Sequence, residues 1–155
     1  MLSPTPFYRT AGVLSGLFTF GHLYAFLRFR PPTAEAVAVR AAMDTTRFQL
    51  GSHWYSFGGL YVGAGLYVAS SMVLVAAFAF WLGQRARKDP ASVRAPTVFL
   101  LLFELWGVGL AWRFFPAAPL IFSALIALCL IVALIAAESL ARRALSASPS
   151  LGEAV

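Results

Sequence analysis

The 155 residues are 60% hydrophobic and only 12% charged, with a mean hydropathy of +0.78 and a formal net charge of +6. A water-soluble domain carries about a quarter charged residues, so this chain has too little charge to cover a water-facing surface, and its length leaves no room for a separate soluble catalytic module. Its basic residues stand at the ends of apolar runs and form no patch, which argues against nucleic acid as a partner and for membrane lipids.

In chain order, the first apolar run spans about Thr10 to Leu27 and is stopped by Arg28, Arg30 and Pro31-Pro32. Arg9 before it resembles the basic start of a secretory signal, but no small-x-small cleavage site follows, so a retained membrane helix is expected. The connection from Arg28 to His53 is long. Its "PPTAEAVAVRAAMDTTRF" offers Thr33 as an N-cap and Glu35 in the first turn, then alanine-rich helix formers. This predicts a short amphipathic helix on the membrane surface, with Val37, Ala41 and Phe48 on its apolar side. A second span is expected from Trp54 to Leu82, followed by a basic loop from Gly83 to Ala95 that is broken at Pro90. The third span runs from about Pro96 to Phe114 and the fourth from Pro119 to Glu138. The tight "FFPAAP" between them makes these two antiparallel neighbours. Residues 146–155 read as a disordered tail.

Each run is long enough to cross a hydrocarbon core, and none shows the period-two alternation of a strand. The expected fold is therefore all-α: a single domain over residues 1–145, built as a four-transmembrane-helix bundle with the short amphipathic helix between spans one and two. Arg9, Arg85, Arg87, Lys88, Arg94, Arg142 and Arg143 fall on one side, and Arg28, Arg30, Arg40, Arg47 and Arg113 on the other. The first set is larger and denser, which places both termini in the cytoplasm.

Lipid tails are as apolar as leucine, so small and polar residues should mark the faces on which the helices meet. The candidates are Gly12 and Gly16 with Ser15, Thr19 and His22; Gly59 and Gly63 with Ser56 and Gly65; Gly107 and Ala111 with Glu104; and Ala124, Ala127 and Cys129. Two ionisable residues, His22 and Glu104, thus lie on small-residue faces, where lipid would be the wrong neighbour. Their depths below the membrane face that carries the first loop differ by about one helical turn, so a direct or water-bridged contact is possible. Either a neutral acid with a neutral imidazole or an ion pair satisfies the pattern. These residues define a candidate ligand or proton site of His22, Glu104, Ser15, Thr19 and Ser56, with His53, Tyr55, Arg113 and Arg47 at its mouth. The competing reading is a polar clasp that only fixes helix register.

Other chemistries fit less well. His22 and His53 are a conceivable pair of haem ligands, but no attachment motif is present and His53 beside Trp54 and Tyr55 reads as part of an interfacial aromatic belt. No ligand spacing suggests a metal, no serine or cysteine is paired with a histidine by a known motif, and the glycines of "FGGLYVGAGL" belong to a membrane helix and not to a phosphate loop. No cofactor is expected.

Three stretches, "FGHLYAF", "AMDTTRFQLGSHWYSFGGLYVGAGL" and "WRFFPAAPLIFSALIALCL", together resemble an uncharacterised family of short four-helix bacterial membrane proteins. The resemblance implies a multi-pass protein of the cytoplasmic membrane and carries no catalytic residue with it. Small multidrug transporters share four helices and an embedded glutamate, but here the carboxylate is on the third helix and the first connection is long, so the likeness is one of architecture. The expected function is non-enzymatic: binding of a small lipophilic ligand or service as a subunit of a membrane complex, possible homo-oligomers included. The alternative is proton-linked transport through Glu104 and His22.

Overall fold

The computed structural model describes residues 2–146. The chain is mostly helical (85%). In order it forms α1 (Pro4–Arg28), α2 (Ala34–Thr45), β1 (Arg47–Leu50), β2 (His53–Ser56), α3 (Phe57–Lys88), a single 3-10 turn (Ala91–Val93), α4 (Arg94–Phe114) and α5 (Ala117–Ser146). Four helices, α1, α3, α4 and α5, are long and apolar enough to cross a membrane. They outrun the apolar stretches: α1 begins six residues before Thr10, α3 continues past Leu82 to Lys88, and α5 continues past Glu138 to Ser146. The polar extensions, such as Gln84–Lys88, are rich in good helix formers and need no lipid to stay helical. Of the tail expected from residue 146, all but Ser146 lies outside the described residues.

The chain divides into two compact units, one of Met1–Phe18 with Leu74–Val155 and one of Thr19–Val73, so α1 and α3 each contribute to both. In the first unit the N-terminal half of α1 runs antiparallel to the C-terminal half of α3. Thr5 Oγ1 donates to the Gly83 carbonyl at 3.2 Å, and a Cβ at Gly83 would stand 3.1 Å from Tyr8 Cβ. One turn on, Gly12 lies under the Phe80 ring, 2.9 Å from where its Cβ would be. Tyr8 also reaches α4: its hydroxyl is 2.6 Å from Thr97 Oγ1, which donates to the Val93 carbonyl at 2.6 Å. Because the Thr97 proton is spent on Val93, the Tyr8 proton must point to Thr97. Helix α5 returns antiparallel to α4 after a sharp turn in which Phe115 N–H caps the Ala111 carbonyl at 3.1 Å. At its far end Arg94 Nε meets Glu138 Oε1 at 3.1 Å.

Buried positions recur at spacings of three and four on every segment of this unit: 4, 8, 11 and 15 on α1; 75, 79, 82 and 86 on α3; 93, 97, 100 and 104 towards α4; 126, 130, 133 and 137 on α5. Among the described residues nine of the sixteen buried apolar residues are alanines, packed around a few large side chains such as Tyr8, Leu82, Ile126 and Leu130, whereas rings such as Phe99, Trp106 and Trp112 are exposed. This bias, alanine inside and rings outside, is what helix packing in hydrocarbon selects.

The second unit corrects the expectation of an all-α chain. Helix α2 begins as predicted, with Thr33 Oγ1 accepting from Ala36 N at 3.2 Å, but ends at Thr45. Phe48 is not on its apolar face. It lies in a two-stranded antiparallel hairpin, Arg47↔Ser56 to Leu50↔His53, which replaces the first three residues of the expected second span. Gly51 opens the two-residue loop at φ +63°, a conformation that suits glycine and gives the primed turn this hairpin needs. Phe48 packs on Tyr55 across the hairpin (6.0 Å between centroids) and on Phe57 at the head of α3 (4.9 Å). Ser56 Oγ accepts from Gly59 N at 3.0 Å, so Ser56 caps α3. Asp44 seats on Gly58, which is buried and has no room for a Cβ beside that carboxylate. Asp44 also binds Arg40 at 3.2 Å, and the Arg40 guanidinium lies 5.4 Å over the Tyr61 ring.

Two outcomes follow. Thr97→Val strands the buried Tyr8 hydroxyl, whereas Tyr8→Phe removes a donor and leaves Thr97 bonded to Val93. Thr97→Val should therefore cost about 1–3 kcal/mol and Tyr8→Phe about 1 kcal/mol or less, read as thermal unfolding in detergent. At the start of α2, the Glu35 carboxyl is held below its ordinary value of 4.5 by its own backbone N–H and by the Thr33 hydroxyl. A depressed acid contributes stability above its unfolded pKa and loses it as pH falls through the folded one. The Ala36 amide resonance should thus be constant at neutral pH and shift only below about 4.5, a shift that Glu35→Gln abolishes.

Candidate functional site around Glu104

Helix α4 places Glu104 with the buried side chains of Thr97, Leu100 and Ala111, on the face turned into the first unit. It stands ten residues after Arg94 and ten before Phe114, about 15 Å from either end of the helix. That is half the thickness of a hydrocarbon core. The side chain is 1% exposed, and neither Oε atom makes a hydrogen bond. From α5 the Ser123 hydroxyl faces both the Glu104 carboxyl and the bare Cα of Gly107, where an added Cβ would sit 3.5 Å from Ser123 Oγ. It does not close a bond of good geometry with either carboxyl oxygen.

The contrast with its surroundings is sharp. Ser15, fully buried, donates to the Ala11 carbonyl at 2.9 Å, and Thr5, Tyr8 and Thr97 are all satisfied as described above. Among the described residues, the two Glu104 oxygens are the buried side-chain polar atoms left without a hydrogen bond. Leaving such a group unsatisfied costs about 1–3 kcal/mol, and more when it is charged. Natural folds keep that kind of penalty where a ligand or proton answers it.

The remaining candidates are distributed between the units. Ser15 and Arg113 belong with Glu104 to the first. Arg113 is exposed at the end of α4, its guanidinium 5.3 Å over the Phe114 ring, which is the snorkelling posture of a helix-end arginine. Thr19, His22, Arg47, His53, Tyr55 and Ser56 belong to the second. There His22 Nε2 lies 3.1 Å from the Gly65 carbonyl, and since a carbonyl only accepts, that nitrogen carries the proton. The His22 ring stacks on Phe26 (5.9 Å), which covers Gly65 so closely that a Cβ there would stand 2.6 Å from the ring. Arg47, His53, Tyr55 and Ser56 come together on the hairpin, with Arg47 and Ser56 directly paired; the first three are exposed. His53 Nδ1 sits 3.1 Å from Ser52 Oγ. Among the described residues no three histidine, cysteine or acidic side chains come together as metal ligands.

Two participants were not singled out from the sequence. Ser123 is the lone polar side chain in "APLIFSALIAL", a signal that was available. Tyr8 precedes the first apolar run, and only the extension of α1 to Pro4 brings it into the interior.

No family model, curated protein or solved structure matches this chain.

A clasp and a ligand site make opposite demands on stability. If Glu104 has no bond to lose, Glu104→Met, similar in length and apolar, should raise stability by about 1–3 kcal/mol in detergent. A lowered unfolding temperature would mean that the carboxyl is a structural tie.

Proposed function

We propose that this chain is a multi-pass protein of the bacterial cytoplasmic membrane that binds a small lipophilic ligand at Glu104. In this reading the four long helices close as a bundle, α2 lies along the membrane surface as an amphipathic helix, and both termini are cytoplasmic. The last point has support within the first unit. The start of α1, the end of α3, the start of α4 and the end of α5 meet at one end, gathering Arg85, Arg87, Lys88, Arg94, Arg142 and Arg143.

The observation that carries the reading is the unmet carboxyl. Its oxygens call for N–H donors and, when ionised, for positive charge, and the Ser123 hydroxyl beside it supplies neither. The ligand class that supplies both is a protonated lipophilic amine. Purified protein in detergent should bind naphthylethylamine, a fluorescent member of that class, and Glu104→Gln should weaken binding roughly ten- to a hundredfold. Equal binding by the glutamine variant would remove Glu104 from the site.

Proton-linked transport is favoured as a second reading by depth. A carboxyl midway along its helix is equally far from both aqueous faces, so it can trade a proton for a cation without net charge. Proteoliposomes separate the two readings: transport requires that a pH gradient drive amine accumulation and that Glu104→Gln abolish it, whereas a binding protein shows no flux.

A further inference from the structure

The end of the first unit that gathers the basic residues also holds a groove of about 260 Å³ between the start of α4 and the end of α5. Its wall is Leu134, Ala137 and Ala141, about 10 Å of apolar helix surface. Its rim is Arg94 and Arg142, with Glu138 between them. Glu138 binds both: Oε1 to Arg94 Nε at 3.1 Å and Oε2 to Arg142 Nη2 at 3.7 Å. One carboxylate thus fixes two guanidiniums and neutralises only one. Each guanidinium commits a single nitrogen, and with 74% and 83% of their side chains exposed the remaining N–H donors face outward.

We propose that this groove is a binding site for an anionic phospholipid, its phosphate held by Arg94 and Arg142 and the upper part of an acyl chain laid along Leu134, Ala137 and Ala141. Three features support that occupant. The net charge of the rim is +1, with Arg143 adding to it from the same turn of α5 and Arg85 already engaged by Asp89 at 3.6 Å. The depth is right: Arg94 lies about 15 Å along α4 from Glu104, and Arg142 one turn further out than Glu138, which puts the rim at the boundary between hydrocarbon and headgroup. The geometry is right as well, since a phosphate accepts paired N–H donors from guanidinium groups that are already oriented, and Glu138 provides that orientation. A zwitterionic lipid would bring its own cation to a rim that is already positive.

The site is independent of Glu104, and its test uses lipid alone. Delipidated protein in neutral detergent is titrated with phosphatidylglycerol, phosphatidylcholine or inorganic phosphate, and unfolding temperature and bound lipid by native mass spectrometry are read together. Phosphatidylglycerol should bind and stabilise, and the other two should do neither. Arg94→Gln and Arg142→Gln should each weaken phosphatidylglycerol binding about fivefold. Glu138→Gln, whose amide oxygen can still orient a guanidinium while its negative charge is gone, raises the rim charge to +2 and should tighten it. The proposal is overturned if phosphatidylcholine binds equally well, if phosphate alone reproduces the stabilisation, or if Glu138→Gln and the arginine variants leave the lipid preference unchanged.

Discussion

Apolar helices in hydrocarbon gain nothing from hiding their leucines from one another, so a fold of this composition depends on places where backbones approach closely and polar groups close on each other. Tyr8 is that place in the first unit. Its Cβ sits against the bare Cα of Gly83, and its hydroxyl crosses to Thr97, so one side chain joins α1 to both α3 and α4. The close approach of the two helices is admitted because Gly83 has no side chain. The hydroxyl is tolerated because Thr97 passes its own proton down to Val93, ending the chain of donors on a carbonyl. Ala79, Leu82 and Ala86 continue the seam around Gly83, and Ala11 and Gly12 continue it from Tyr8.

The second unit is held by different means. His22 gives its Nε2 proton to the Gly65 carbonyl, Phe26 covers the same glycine, and Tyr61 lies 5.4 Å from Phe26 and beneath Arg40. Arg40 in turn fixes Asp44, which bears on Gly58 at the start of α3. A carboxylate placed there also faces the positive end of a 32-residue helix. One ladder of rings and charges therefore runs from His22 to Asp44, and two glycines, Gly58 and Gly65, make room for it.

How much of this was legible follows from which signals are one-dimensional. The four spans are, because hydrocarbon thickness translates directly into run length, and Thr33 as a cap is, because capping is local. The hairpin was missed although its pattern was present: Gly51-Ser52 between two four-residue segments bearing Phe48, Trp54 and Tyr55. It was hidden because "HWYSFGGL" also reads as the aromatic edge of a membrane helix. The seams were legible in kind and not in address. Gly12 and Gly65 are at close approaches, but Gly16 and Gly63 face open space, and the glycine that admits Asp44 is Gly58, which was not among the expected contacts. Spacing selects a helix face to within about one residue, and only three-dimensional packing selects the glycine. Ser56 shows the same limit: a hydroxyl near a candidate site proved to be spent on Gly59 as a helix cap.

Glu104 was legible as an anomaly, and its surroundings sharpen it. Serine, threonine and tyrosine can all be buried cheaply in a membrane helix, since each hydroxyl has a carbonyl one turn back or a neighbour to accept its proton, and Ser15, Ser70, Ser71 and Thr97 all use that device. A glutamate has no such recourse. Ionised, it needs donors, and every helical N–H beside it is already bound within the helix; protonated, it still leaves one oxygen wanting. A glutamine, methionine or leucine at this position would serve packing at least as well. What a carboxyl alone offers at this position is the choice between holding a proton and holding a negative charge. The arginines and the acidic Glu138 sit at one end of the same unit, where they are bonded to one another. Within the first unit the charges are thus separated along the helices: Arg94, Glu138 and Arg142 bonded to one another at one end, and the Glu104 carboxyl midway along α4 without a hydrogen bond of good geometry.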